Sequence, residues 1–250
     1  MKSPIDIMQE SFSLSMRKPS LLYGLMYFGL SIVISLGAAV LGFIIGIIGV
    51  FMLAAINIAY VTLAAIALGV LILIIALIIL QALFDIFFYR GIDQIRKTGN
   101  YDIGEVRKQI KSRILPTTFL IILVILIVIL SMAIVIIPPF LLFNELGLLA
   151  GILIYLIVVL FAAPLLMMAT PSVILENVGA IQALGRGIRL GTRNYLFNLG
   201  GIALLMVLTF IVVILSLIPL INILVSFFMT IVFTHYLLGM YEENRQRARL

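Results

Sequence analysis

Residues 21–84 read LLYGLMYFGLSIVISLGAAVLGFIIGIIGVFMLAAINIAYVTLAAIALGVLILIIALIILQALF, and not one charged side chain interrupts them. About 20 apolar residues are enough to carry a helix across a hydrocarbon core of about 30 Å. A run this long therefore holds more than one span, and the chain folds as an integral membrane protein. Composition agrees, because 64% of the 250 residues are hydrophobic and only 10% charged. A soluble domain carries roughly 45–50% and 25% of these classes.

Three further uncharged stretches follow, from Ile114 to Asn144, Leu146 to Leu175 and Asn194 to Tyr241. The 16 basic residues gather in four groups. Lys2, Arg17 and Lys18 form the first, and Arg90, Arg96, Lys97, Arg107, Lys108, Lys111 and Arg113 the second. Arg186, Arg189 and Arg193 form the third, and Arg245, Arg247 and Arg249 the last. Placing every group on the cytoplasmic side, as the positive-inside rule asks, requires an even number of spans between groups. Two each is the simplest solution.

The predicted hairpins are 21–47 with 53–89, 116–138 with 147–170, and 195–216 with 220–240. Both termini are then cytoplasmic, in the cell membrane. The outer turns fall in a Gly-rich segment beginning near Gly46, at Pro138-Pro139-Phe140, and at Ser216-Leu217-Ile218-Pro219, leaving Glu145 as the one outer charge. Tyr23, Tyr27, Tyr89, Tyr195, Tyr236 and Tyr241 flank the inner boundary, where amphipathic rings are favoured. The segment before Leu21 carries Asp6, Glu10, Arg17 and Lys18, which does not suit a cleavable signal peptide.

Each hairpin is preceded by apolar residues at i, i+3 and i+7: Ile5, Met8, Phe12; Ile103, Val106, Ile110; and Ile181, Leu184, Ile188. This spacing makes one helical face, and such helices lie on a membrane surface rather than cross it. The expected fold is all-α: a six-helix transmembrane bundle of three hairpins, each preceded by a cytoplasmic interfacial amphipathic helix. Residues 1–250 form a single membrane domain with repeat units 3–89, 101–170 and 171–241, and 242–250 make a cytoplasmic tail.

Pro171 to Leu184, reading PSVILENVGAIQAL and continuing through Arg186, Arg189, Leu190 and Arg193-Asn194-Tyr195, resembles a known pattern. It is similar to the multi-pass membrane domain of some glycerophosphodiester phosphodiesterases and to related stand-alone, uncharacterised bacterial and archaeal membrane proteins. Arg17-Lys18-Pro19-Ser20-Leu21 is similar to the way that family begins its first span. The match covers about 25 residues. The resemblance implies a fold and no reaction, since no soluble catalytic domain accompanies it. High isoleucine content without Cys or Trp is compatible with an archaeal or thermophilic source.

Chemistry-bearing residues are few. Absence of cysteine removes disulfides, thiolate metal sites and a thiol nucleophile, and a single histidine leaves little for zinc or general-base work. Asp93, Asp102 and Glu105 are the one acidic cluster, but basic neighbours crowd it and hard cations need more converging oxygens. We therefore expect no catalytic residues, no metal and no cofactor. His235 reads as a hydrogen-bonded packing residue ahead of a proton relay, and Asn57 as the deepest amide of the second span.

Ser31, Ser35, Gly42 and Gly46 give the first span a small-residue face suited to close packing. Asn222, Ser226, Thr230 and Thr234 form a polar seam on the last span, either gluing helices or lining a substrate path. Arg186, Arg189 and Arg193 share one helical face and are the expected head-group contacts, each contributing about 1 kcal/mol near an anionic surface. The equally weighted alternative is that they only set topology. The expected partners are membrane lipids, anionic ones foremost, and a protein at the cytoplasmic surface or in the bilayer, with no nucleic acid.

The favoured function is thus a non-enzymatic multi-pass protein with a bilayer-organising or accessory scaffold role. A transporter of a lipid-like or small neutral substrate is the alternative, and a membrane-embedded lipid enzyme comes third.

Overall fold

A computed structural model describes residues 1–55 and 59–248, and among them the only regular structure is helix. The order is α1 (Pro4–Ser15), α2 (Lys18–Ala55), α3 (Ala59–Thr98), α4 (Ile103–Leu166), α5 (Ala169–Leu175), α6 (Ala180–Arg193), α7 (Tyr195–Leu215) and α8 (Pro219–Arg247). Five of these, α2, α3, α4, α7 and α8, include stretches long and apolar enough to cross a membrane. The chain is accordingly a multi-pass membrane protein.

α4 is 64 residues long but is not one rod, because Asn144 sits at φ 53°, ψ −129° and breaks it. Asparagine enters positive φ more readily than most residues that carry a Cβ. Beyond the break the chain returns along its own first limb. Gly151 packs on the Ile136 backbone, a Cβ at Gly147 would stand 1.8 Å from the Pro139 carbonyl oxygen, and Tyr155 donates to the Val128 carbonyl at 3.2 Å. The reversal is therefore not at Pro138-Pro139-Phe140, where it was expected; both prolines lie inside the helix.

The first turn does not begin near Gly46. Helix α2 continues past Gly46 to Ala55, since glycine is well tolerated in apolar helices. Asn57, expected as a deep amide, lies outside the described residues. The third hairpin keeps its predicted turn: α7 stops at Leu215, and Pro219 opens α8 at the first helical turn, where a missing N–H costs nothing.

Lengths differ greatly between hairpins. The 38 residues of α2 and the 40 of α3 measure about 57 and 60 Å at 1.5 Å per residue, against about 32 Å for α7. Part of that length in α3 is the charged extension through Arg90, Arg96 and Lys97, which packs with the ends of other helices rather than projecting freely.

That packing forms the core. Ile7, Met8, Met168, Val232, Tyr236 and Met240 make one cluster; Ile86, Leu120, Val173, Ile174 and Ala183 a second; and Tyr23, Phe88, Ile92, Ile95, Ile231 and Leu238 a third. The first two join the ends of long helices to the short helices α1, α5 and α6, and the third joins α2, α3 and α8 to one another. Farther along the long helices, Val33, Leu36, Leu71, Ile134, Leu141, Val207, Phe210 and Leu224 are exposed, as lipid-facing residues are. Tyr23, Tyr236 and Tyr241 were expected as interfacial anchors. They are core residues instead, at most 1% exposed: α1 and α5 close over Tyr236 and Tyr241, while Tyr23 stacks on Phe87 and Phe88 of α3.

Two of the three expected surface helices are separate elements, α1 and α6. The third, 101–115, is the beginning of α4 itself, and Pro116 does not interrupt it. The expected tail is not a tail either: α8 runs to Arg247, with Glu243 4% and Asn244 0% exposed.

Candidate functional site

The charged side chains converge where α1, α3, α5, α6 and α8 meet. Helix α1 begins with a capping box: the Ser3 hydroxyl accepts from the Asp6 N–H at 3.2 Å, while the Asp6 carboxylate accepts from the Ser3 N–H at 2.8 Å. The Ser3 hydroxyl, donating to the same carboxylate at 2.7 Å, and the Ser3 N–H hold the exposed Asp6 carboxyl below its usual range. Buried serines on the inner face of α1 satisfy themselves within the helix, Ser11 donating to the Ile7 carbonyl and Ser15 to that of Ser11, both at 2.6 Å.

Glu176 closes the turn between α5 and α6. It takes the Arg186 guanidinium from α6 and, at 3.0 Å, that of Arg245 from α8. One carboxylate thereby ties three helices. Arg96 of α3, its side chain only 7% exposed, pairs with Glu242 at 2.8 Å and donates to the His235 carbonyl at 3.0 Å. Arg247 pairs with Glu243 at 3.1 Å, stacks over the Phe197 ring and donates to the Lys2 carbonyl, drawing the two chain ends together.

Helix α6 packs differently from its apolar pattern. Its buried residues are Ala180, Ala183, Gly187 and Gly191, a small-residue face distinct from the Ile181, Leu184 and Ile188 face expected to lie on the membrane. The reason is contact with backbone. A Cβ at Gly187 would stand 2.8 Å from the Ala169 nitrogen, and one at Gly191 2.5 Å from the Pro164 carbonyl oxygen. Only residues with little or no side chain fit so close an approach. Ile181 is 70% exposed and Ile188 40%, while Leu184 packs partly on the second core cluster.

The three arginines of α6 are not equivalent. Arg186 is bound to Glu176, and Arg193 donates to the Ala248 carbonyl at 2.7 Å. Arg189 is exposed and has no ion pair among the described residues.

The seam on α8 is hydrogen-bonded along its own helix: Ser226 donates to the Asn222 side chain at 2.9 Å, Thr230 to the Ser226 carbonyl at 2.7 Å, and Thr234 to the Thr230 carbonyl at 3.0 Å. With their protons committed, these hydroxyls keep only acceptor capacity for a substrate. A cleft of about 320 Å³ between α2 and α3 is lined by other residues: Ile34, Ser35, Leu77, Leu80, Gln81 and Phe84.

The acidic cluster is dispersed among local tasks. Asp102 caps α4, accepting from the Gly104 N–H at 2.7 Å, Glu105 pairs with Lys108 at 2.9 Å, and Asp93 with Lys97 at 2.7 Å. No group of three or more His, Asp or Glu side chains among the described residues could hold a metal ion.

His235 is buried, with Nε2 3.1 Å from the Ser20 oxygen. Since the Ser20 hydroxyl donates to the Leu14 carbonyl at 2.8 Å, that contact has Nε2–H as its donor. Nδ1 is then the lone-pair nitrogen, and it has no partner. The side chain pins the start of α2 to α8, which agrees with the packing reading.

Sequence reasoning missed the amides. Asn198 and Asn244 are both 0% exposed and meet with Asn244 Nδ2 donating to Asn198 Oδ1 at 2.7 Å. Asn244 sits in the polar string Glu242-Glu243-Asn244-Arg245-Gln246-Arg247, which reads as solvated. A helical projection placing it one turn beyond Met240 was the one available signal.

A second cleft of about 320 Å³ opens in the charged end, between Asp93 and Lys97 of α3, Leu175 of α5, and Tyr241, Glu242, Arg245 and Gln246 of α8. It is mixed in charge, and the Ser172 hydroxyl reaches the Tyr241 oxygen behind it at 3.2 Å. No family model, characterised protein or solved structure matches the chain.

Proposed function

We propose that this chain is a non-enzymatic six-span protein of the cytoplasmic membrane that organises the bilayer or serves as an accessory subunit. In this reading the charged end faces the cytoplasm and both termini lie inside. The observation that carries it is the gathering of basic groups and of α1 and α6 at one end, while Glu145 is the one charge near the α4 reversal at the other. A one-sided basic surface matches the positive-inside asymmetry. The resemblance of residues 171–195 to the membrane domain of some phosphodiesterases supports the same kind of architecture.

Orientation is tested directly because the chain has no cysteine. Cysteine placed at Glu145, beside the reversal in α4, should react with a membrane-impermeant maleimide in intact cells. Cysteine at the exposed Arg189 should react only after lysis. The reverse pattern, or labelling of both in intact cells, would sink the proposed topology.

Lipid contact is assigned chiefly to Arg189, with exposed Ile181 and Ile188 lying in the acyl boundary. At about 1 kcal/mol per basic residue near an anionic surface, Arg189→Gln should weaken association with anionic lipid about fivefold. Arg186→Gln and Arg193→Gln should each do less, since their guanidinium groups already have protein partners. Native mass spectrometry of correctly inserted variants measures this. Equal retention of anionic lipid by wild type and Arg189→Gln would mean that Arg189 serves orientation alone.

A further inference from the structure

We propose that the cleft between the ends of α3 and α8 binds a small ligand carrying a primary ammonium beside an anionic group. The first support is Asp93. Its side chain is 9% exposed, and Lys97 Nζ reaches Oδ2 at 2.7 Å, yet Oδ1 is enclosed and has no hydrogen-bond partner. A buried carboxylate oxygen left unmade is expensive, and native structures keep few such groups. An ammonium satisfies it once the exposed Lys97 side chain gives way and opens Oδ1 to the cleft, and Lys97 shows on the other oxygen that this carboxylate takes one.

The second support is the rest of the lining. Glu242, whose Oε2 is held by Arg96 at 2.8 Å, lies beside Asp93 with acceptor capacity left, whereas Arg245 and Gln246 bring donors one turn farther along α8. Arg245 engages Glu176 through Nε at 3.0 Å, and its planar fork has further N–H donors to offer an anion. Two carboxylates accompanied by Lys97 and Arg245 suit a divalent cation poorly, because hard cations need more converging oxygens. They suit a zwitterion. A volume of about 320 Å³ lies at the small end of the roughly 300–1,000 Å³ found for ligand sites, which fits a head group or a free metabolite of that size rather than an acyl chain.

The site rests on the packing of the charged end, independent of which side of the membrane that end faces. Its test uses the full chain in phosphatidylcholine nanodiscs, titrated calorimetrically with phosphoethanolamine and, as control, with phosphocholine, whose trimethylated nitrogen has no N–H to donate. Saturable binding of phosphoethanolamine is expected, with phosphocholine at least tenfold weaker. Asp93→Asn should weaken phosphoethanolamine at least tenfold. Lys97→Met removes a 61% exposed side chain that competes for Asp93, so it should bind the ligand as tightly as wild type or more tightly.

Absence of saturable binding, equal binding of phosphocholine, an unchanged Asp93→Asn variant or a tenfold loss in Lys97→Met would each overturn the proposal. If Asp93→Asn does not fold, Lys97→Met and the phosphocholine control decide. Repeating the titration in discs containing phosphatidylethanolamine identifies the source. Competition assigns the site to a lipid head group, and unchanged binding assigns it to a soluble ligand.

Discussion

Gly191→Leu is expected to lift α6 off the bundle and to leave little folded protein, with Gly187→Leu nearly as severe. At Gly191 an added Cβ would stand 2.5 Å from the Pro164 carbonyl oxygen and 2.6 Å from Leu165 Cα; at Gly187 it would stand 2.8 Å and 3.0 Å from Ala169 backbone atoms. Every one of these neighbours is main chain, so no rotamer change relieves the contact. Overpacking a close-packed site costs about 1–3 kcal/mol where side chains can shift. With backbone on both sides the loss should reach about 3 kcal/mol or more, a large part of the stability of most domains. Gly185, on the same helix, has nothing within 4 Å of its added Cβ, so Gly185→Leu is the matched control. Thermal unfolding in mild detergent, followed by circular dichroism, compares the three. Melting of Gly191→Leu alongside Gly185→Leu would show that α6 does not pack on α4 and α5 through this face.

The same helix shows why some features were legible and others were not. Its ends, Ala180 and Arg193, follow from the apolar spacing and from the change to a new apolar run at Tyr195. The face it turns to the protein does not, because the apolar pattern assigns Ile181 and Ile188 to the membrane surface and gives no sign that Gly187 and Gly191 pack on the bundle. In lipid an exposed isoleucine loses nothing, and close approach of backbones decides the packing instead. The reversal in α4 was misplaced for a related reason: Pro138-Pro139 is a strong breaker in water, yet within an apolar bundle the helix carries it and turns only where Asn144 takes positive φ. That the chain crosses the membrane several times was legible, since charge-free runs are a property of composition. Tertiary burial of polar residues was not, as Glu242, Glu243 and Asn244 look like solvated tail until the ends of α3, α5 and α7 are brought against them.

That burial makes the second large effect, in which Asn198 and Asn244 should behave as one unit. Asn244 Nδ2 donates both to Asn198 Oδ1 at 2.7 Å and to the Met240 carbonyl at 2.8 Å, and the Asn194 side chain approaches the Asn244 carbonyl at 3.4 Å. Asn198 Nδ2 in turn lies 3.5 Å from the Leu190 carbonyl at the end of α6. Truncating either partner leaves the other amide buried with an unmade bond, costing about 1–3 kcal/mol. Asn244→Leu should be the worse single change, because it orphans Asn198 Oδ1 and discards the contact with Met240 as well. Replacing both amides removes the orphan along with the bond. Met168 and Met240, which flank the pair, are flexible enough to accommodate two leucines. The double variant Asn198→Leu/Asn244→Leu should therefore lose at least about 1 kcal/mol less than the sum of its parents, the coupling expected of residues in direct contact. Strictly additive losses in the same unfolding assay would mean that the two amides do not share a hydrogen bond. The join between α7 and α8 at this end would then rest on Tyr236 with its apolar neighbours and on Arg247 over the Phe197 ring.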